Sequence, residues 1–595
     1  MGAGDADLYG QVLPLPDRGR RDRLARLCAG QGRRPRGRSR ENHRFQRFVL
    51  AGRSRRRRLA RSGLCGLREP EGRASLRAYD HARRSSRRVH PKAQRHPAPG
   101  ARQRFRTAVT LDWRVASAAL GVCLQIIFII RALLRPHRQP ASRVAWIAII
   151  AALPFLGCVA YLMLGETNLG RKRVARIHEA MRLLPVPGKA TAVGADALVD
   201  AEAMFDLPPR LAPLFKVGQS ASGYPPMPGN TAELAPDSDT AIARLVEDID
   251  AALEHVHIAF YIWLPDRNGL EVVEAVKRAA ARGVTCRIMA DDLGSRYLIR
   301  TPHWRAMADA GARLVRALPL GSPLLWPLHG RLDMRDHRKI VVIDNHLTWC
   351  GSQNCADPAF RIKAKYAPWV DLFARFEGPV VLQNQHLFAT DWMAHTEESL
   401  VPLLASAHVP ERPGFVAQVI GTSAAQRYAA MPETFVSLMH AAAEELTITT
   451  PYYVPDEAIQ FALVATARRG VRVTLTMPRR NDSWIVAGAS RSYYRELLNA
   501  GVEIREYPLG LLHTKALTVD GRMTLIGSAN MDRRSFDLNF ENNILLADRD
   551  FTARIRARQQ RYMDVSIRIT LEEVDAWPRH RVLWNNVLAM IGPVL

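Results

Sequence analysis

The chain has 595 residues, enough for two or more domains, and a formal net charge of +27. That charge suggests a nucleic-acid or membrane partner until its placement is counted. Residues 1–106 hold 30 Lys and Arg against 8 Asp and Glu, whereas the other 489 residues hold 54 against 49. The body of the protein is nearly neutral, which argues against a nucleic-acid grip. Its seven cysteines form neither a C-x-x-C pair nor a metal-ligand pattern, so no disulfide framework or metal site is expected.

Residues 1–108 carry runs such as RRPRGRSR and RSRRRR without sustained hydrophobic periodicity. Such a segment cannot bury enough apolar surface to fold alone. It reads as a disordered extension, and three origins compete: a basic arm for nucleic acid or anionic lipid, a targeting peptide, or a start codon placed too far upstream. The last is preferred because the composition suits out-of-frame translation of GC-rich DNA.

Residues 109–165 contain two apolar stretches, Val115–Leu134 and 144–164, the second 21 residues without a charge and long enough to cross a bilayer. They predict a two-helix transmembrane hairpin, with Pro154 tolerable inside a spanning helix. Arg131 near the end of the first can reach the interface. Four arginines lie in the connecting loop and five Lys or Arg on the outer flanks, a lean toward both termini in the cytoplasm. Residues 166–220 read as a juxtamembrane linker that opens with a basic helix, LGRKRVARIHEAMRLL. That helix either lies on anionic headgroups or is solvated.

Two similar lobes follow, 221–405 and 406–570. HVHIAFYIWLPD, VVEAVKRAAARG and VTCRIMADD in the first answer to ELTITTPYYVPD, ALVATARRG and VRVTLTMPRR in the second. Strand, helix, strand in alternation predicts α/β lobes with mixed, largely parallel sheets flanked by helices. Gly283 and Gly470 stand where helices commonly stop. The first lobe carries about 14 extra residues before its motif, within LPLGSPLLWPLHGRLDMRD. This insertion either grips acyl chains or packs as a structural loop. The tail, 571–595, reads as an amphipathic helix that lies on a membrane or on the second lobe.

The chemistry sits in a duplicated spelling, H-x-K-x4-D-x6-G-S-x-N. The first copy supplies His337, Lys339, Asp344, Gly351, Ser352 and Asn354. The second, offset by 176 residues throughout, supplies His513, Lys515, Asp520, Gly527, Ser528 and Asn530. His and Lys at i and i+2 project from one face of a strand, and glycine permits a sharp turn that returns Ser and Asn toward the same point. Two copies facing one another would close a cationic, donor-rich cup suited to a phosphodiester. One neutral histidine can attack phosphorus while the other protonates the leaving alkoxide. Asp344 and Asp520 are expected to orient a histidine, and Ser352, Asn354, Ser528 and Asn530 to bind substrate.

This repeat resembles the HKD motif of the phospholipase D superfamily. TPYYVPDEAI, RSYYRELLNAGVEIREYPLGLLHTK and GSANMDRRSFDLNFENN around it, with the hairpin, resemble bacterial cardiolipin synthases from about residue 112 onward. The resemblance implies an active, cofactor- and metal-free, membrane-embedded phosphatidyltransferase in the bacterial inner membrane. It would make cardiolipin from two phosphatidylglycerol molecules, with His337 as nucleophile, His513 as acid and base, and both lysines on the phosphate. The alternatives are a phospholipase D using water, a synthase using phosphatidylethanolamine, and a superfamily nuclease.

Overall fold

In the computed structural model the described residues are 113–135, 140–166, 169–188, 207–320, 331, 333–410 and 412–590. The arginine-rich extension, the hairpin loop 136–139, the linker segment 189–206 and residues 321–330 of the insertion lie outside them. So do the last five residues of the tail.

Alternating apolar residues of the first lobe build β1 (Met227–Leu234), β2 (His255–Phe260), β3 (Thr285–Asp291), β4 (Arg313–Ala317), β5 (Lys339–Ile343), β6 (Leu347–Gly351) and β7 (Phe373–Glu377). The second lobe builds β8 (Phe415–Thr422), β9 (Glu445–Thr449), β10 (Arg472–Pro478), β11 (Glu503–Tyr507), β12 (Ala516–Val519), β13 (Met523–Gly527), β14 (Glu541–Ala547) and β15 (Ile567–Ile569). All belong to one 15-stranded sheet, ordered β15-β11-β10-β9-β12-β13-β14-β8-β1-β7-β6-β5-β2-β3-β4. Outward from the central β8–β1 junction seven strands of each lobe follow the same order, with β15 an additional edge strand on β11, so the duplication in sequence is a duplication in topology. At the junction Met227 pairs with Ala417 and Asn230 with Phe415, antiparallel.

The sheet is mixed, as expected, but not largely parallel. Parallel pairing is confined to β2-β3-β4 and β9-β10-β11. The cause is local. Each motif is a hairpin, β5–β6 or β12–β13, turned by Asp344-Asn345 or Asp520-Gly521, all at positive φ. Such turns match the twist of antiparallel strands, so each motif forces antiparallel pairing on its neighbours.

One core runs beneath both lobes. Ile340, Val342 and Phe376 of the first pack with Val419, Ile526 and Ile544 of the second around helix Val380–His395. That helix is buried on nearly every side, consistent with its apolar residues being spread round the axis. Arg338 crosses the same boundary: Nε donates to the Glu541 carbonyl at 3.2 Å, Nη2 to the Thr422 carbonyl at 3.1 Å, and Nη1 pairs with Asp391.

At the N-terminal side, Trp113–Leu134 is one helix, and its stretch Val115–Leu134 is long and apolar enough to cross a membrane. The expected second span is broken. Pro154 has no N–H and its ring excludes the preceding carbonyl, leaving two shorter apolar helices, Pro140–Ala152 and Pro154–Ala160. Gln125 of the first helix compensates, its Nε2 donating to the carbonyls of Ile150 at 2.8 Å and Ala151 at 3.2 Å. The basic helix Arg171–Leu183 packs on Val380–His395, with Ile177 and Ala180 buried and His178 bonded to the Ala425 carbonyl at 2.9 Å. It is therefore part of the catalytic body and is not a free solvated helix.

Candidate active site

The motif hairpins bring both histidines to the line where the lobes meet. His337 donates its backbone N–H to the Phe540 carbonyl at 3.0 Å, and Phe540 returns one to the Arg335 carbonyl at 2.9 Å. His513 likewise donates its N–H to the Val370 carbonyl at 2.8 Å. Each histidine is thus pinned by backbone from the opposite lobe.

The side chains cross in the same way. His337 Nδ1 lies 2.9 Å from Glu541 Oε2, and His513 Nδ1 lies 2.6 Å from Asp371 Oδ1. Neither carboxylate belongs to the repeat, and sequence reasoning missed both. Their signal was topological: Glu541 opens β14, and Asp371 stands two residues before the equivalent β7. Ser528 Oγ donates to Glu541, and Ser352 Oγ donates to Asp371 Oδ1 at 2.6 Å. The serines therefore brace the carboxylates that hold the histidines. Gly351 is required for that turn, since a Cβ on it would lie 2.3 Å from the Leu372 carbonyl oxygen.

Asp344 and Asp520 do not orient a histidine, which is a correction to the expectation. Asp344 accepts the backbone N–H groups of Leu253, Glu254 and His255 at 2.7–2.8 Å. Asp520 accepts those of Ala443, Glu444 and Glu445 at 2.8–3.0 Å, and Arg210 Nη2 at 2.9 Å. Short acidic side chains tolerate positive φ, so each sits in the hairpin turn and ties down the chain entering β2 or β9. Their work is architectural.

Electrostatics follow from burial. Burial, against the pull of Glu541 and with the push of Lys339, lowers His337 to about 4. Burial would raise Glu541, but His337 and Lys339 hold it at about 2. A neutral imidazole donating Nδ1–H to a carboxylate leaves the Nε2 lone pair for chemistry. His513 is also lowered by burial, with Asp371 opposing. Burial brings Lys339 to about 8 and Lys515 to about 7. Both ammonium groups fold back on the carbonyl of their own histidine at 2.7 Å. Lys515 Nζ also lies 2.8 Å from His513 Nε2.

Above the histidines opens a cavity of about 310 Å³, lined by His337, His513, Asn354 and Asn530, with Tyr261, Tyr452, Arg335 and Arg534 around them. Both side-chain polar atoms of Asn354 and Oδ1 of Asn530 are buried without a hydrogen-bond partner. Buried amides are rarely left so, and these two line the same cavity from the two lobes. The expected set thus divides: histidines and asparagines at the cavity, lysines beneath, serines and motif aspartates behind.

Paired histidines on duplicated H-x-K hairpins, meeting at a pseudo-twofold junction, define the site of the phospholipase D superfamily. A family model for the cardiolipin synthase, PLD-like domain matches residues 245–369 and 435–563, and one for the phospholipase D-nuclease N-terminal region matches 123–166. Cardiolipin synthase A of Yersinia pseudotuberculosis serotype O:1b (strain IP 31758) is 35% identical over 476 residues, 79% of this chain and 95% of that one. The same values hold for cardiolipin synthase A of Yersinia pestis bv. Antiqua (strain Angola). A crystal structure of phosphatidylserine synthase from Haemophilus influenzae Rd KW20 aligns at TM-score 0.49 and 13% identity, covering 64% of this chain and 100% of that one. The chain belongs to the cardiolipin synthase family, and is a phosphatidyltransferase of the phospholipase D type.

Proposed function

We propose that the enzyme joins two phosphatidylglycerol molecules into cardiolipin and releases glycerol. The observation that carries this is the crossed pair of imidazoles beneath a polar cavity with unpartnered asparagine amides. His337 is the nucleophile. Among the described residues no hydrogen bond is recorded to its Nε2, whereas His513 Nε2 already faces the Lys515 ammonium. His337 Nε2 attacks phosphorus, the P–N bond forms, and the P–O bond to glycerol breaks. The proton held between His513 and Lys515 goes to the departing alkoxide. The hydroxyl of a second phosphatidylglycerol then returns a proton to that pair, its oxygen attacks phosphorus, and the P–N bond breaks. Asn354 and Asn530 donate to the phosphoryl oxygens, and the two lysines supply positive charge from below. Asp344, Asp520, Ser352 and Ser528 act through the groups they hold.

The apolar helix at Val115–Leu134 and the family relationship support a place in the bacterial inner membrane. We read the broken second segment as completing a multi-pass anchor, with the lobes on the cytoplasmic side. The test is product analysis with the full chain in vesicles of labelled phosphatidylglycerol. Cardiolipin with one glycerol released per product is the expected outcome. Phosphatidic acid in its place would make the acceptor water and overturn the reading.

A further inference from the structure

The C-terminal helix Arg579–Met590 has one face packed and one bare. Leu588 is buried with Val454, Val486 and Ala489, against helix Trp484–Arg491. On the opposite side Leu583 is 66% exposed and Met590 79%, while Trp584, one turn before Leu588 at the edge of the packed face, is 53% exposed. Trp584 stacks on Trp484, itself 62% exposed, with ring centroids 5.9 Å apart and planes within 7°. A bare tryptophan pair continued by aliphatic residues is an unusual surface for a water-facing protein.

Its position gives it meaning. Trp484 follows two residues after Asp482, which lines the catalytic cavity and accepts the Tyr452 hydroxyl at 2.6 Å. Asp482 is also paired with Lys363, on the segment Arg361–Tyr366 across the opening, where exposed Ile362 lines the same cavity. The apolar patch therefore borders the mouth of the site. Exposed Arg361, Lys365, Arg479, Arg480 and Arg579 flank it. Tryptophan at the level of the headgroups, aliphatic side chains below and basic residues around are the composition of a surface that sits on an anionic leaflet.

We propose that this rim is a second membrane-contact surface, separate from the N-terminal anchor. The Trp484–Trp584 pair and the bare face of the C-terminal helix enter the headgroup–acyl boundary. The cavity mouth then opens onto the leaflet, and a headgroup reaches His337 while its acyl chains stay among lipids. The proposal rests on the lipid reading of the cavity.

Two measurements on the full chain in phosphatidylglycerol vesicles test it. The first is tryptophan emission with lipids brominated near the top of the acyl chain, in the wild type and in W484F/W584F. The emission lost in the variant is expected to be bromine-quenched; if it is not, the rim faces water, a second copy or another protein, and the proposal falls. The second is rate. W484S/W584S is expected to lower turnover of bilayer phosphatidylglycerol about tenfold while leaving a short-chain, monomerically dispersed phosphatidylglycerol unchanged. An equal loss on both substrates, or no loss on either, overturns it. If the wild type turns over neither lipid, the catalytic reading fails, and the quenching still decides the contact.

Discussion

The two histidine arms share a backbone and differ in what surrounds it. His337 is held by the longer Glu541, with Tyr261 edge-on at 4.9 Å, and its Nε2 faces the cavity. His513 is held by the shorter Asp371, lies against Trp369 at 4.7 Å, and shares its Nε2 with Lys515. The carboxylates and the aromatic rings lie outside the repeated spelling; the Lys515 contact is a motif residue used differently in the two copies. A duplication supplies two equivalent imidazoles; division of labour between them has to be written elsewhere in the chain.

The largest expected break is removal of either imidazole. His337→Ala should abolish labelled phosphoenzyme and lower transfer by roughly 10³-fold or more. His513→Asn should slow transfer by about 10²–10⁴-fold by slowing both formation and breakdown of the phosphoenzyme, yet leave it detectable, because the nucleophile survives while proton delivery does not. Acid-quenched enzyme labelled from radioactive lipid phosphate distinguishes the two; accumulation in the His337 variant would reverse the assignment. Next come the carboxylates. Glu541→Gln and Asp371→Asn keep the shape but lose the charge that fixes each tautomer, at a cost of roughly 10²–10⁴ in kcat. The former should slow phosphoenzyme formation, the latter its appearance and its breakdown.

The pH profile sharpens the comparison further. His337 must be neutral, which holds above about 4, and the Lys515–His513 pair must hold its proton, which holds below about 7. Transfer measured as kcat/KM should therefore rise through the lower value and fall through the upper. Lys515→Met should remove the alkaline limb near 7. The smallest catalytic effects belong to the turn aspartates. Asp344→Ala and Asp520→Ala unpair backbone donors far from phosphorus, so each should cost about 1–3 kcal/mol of stability. In denaturant titrations the Asp520 change should be the larger, because Arg210 loses its partner as well. A large loss of kcat with unchanged stability would show that the aspartates act on the chemistry after all.

The parts of the site readable in the sequence are those whose spacing is local. His337 with Lys339, Asn354 behind Gly351, and the same set at 513–530 are tied by hairpin geometry, and hairpins carry their register in short range. Glu541 and Asp371 are invisible to that reading because their partners lie 204 and 142 residues away. The aspartates misled for the opposite reason: they repeat as faithfully as the histidines, but a turn at positive φ needs them as much as a reaction would. The apolar run at 144–164 looked continuous because composition does not report which carbonyl Pro154 leaves unpaired. The lobes read as alternating α/β units, whereas the antiparallel centre of the sheet follows from the motif hairpins themselves.

Because each imidazole takes its carboxylate from the other half of the chain, neither half is an enzyme in miniature. A lesion in one lobe silences the whole molecule and not half of it. Two separately expressed halves would regain function only by rebuilding the β1–β8 seam.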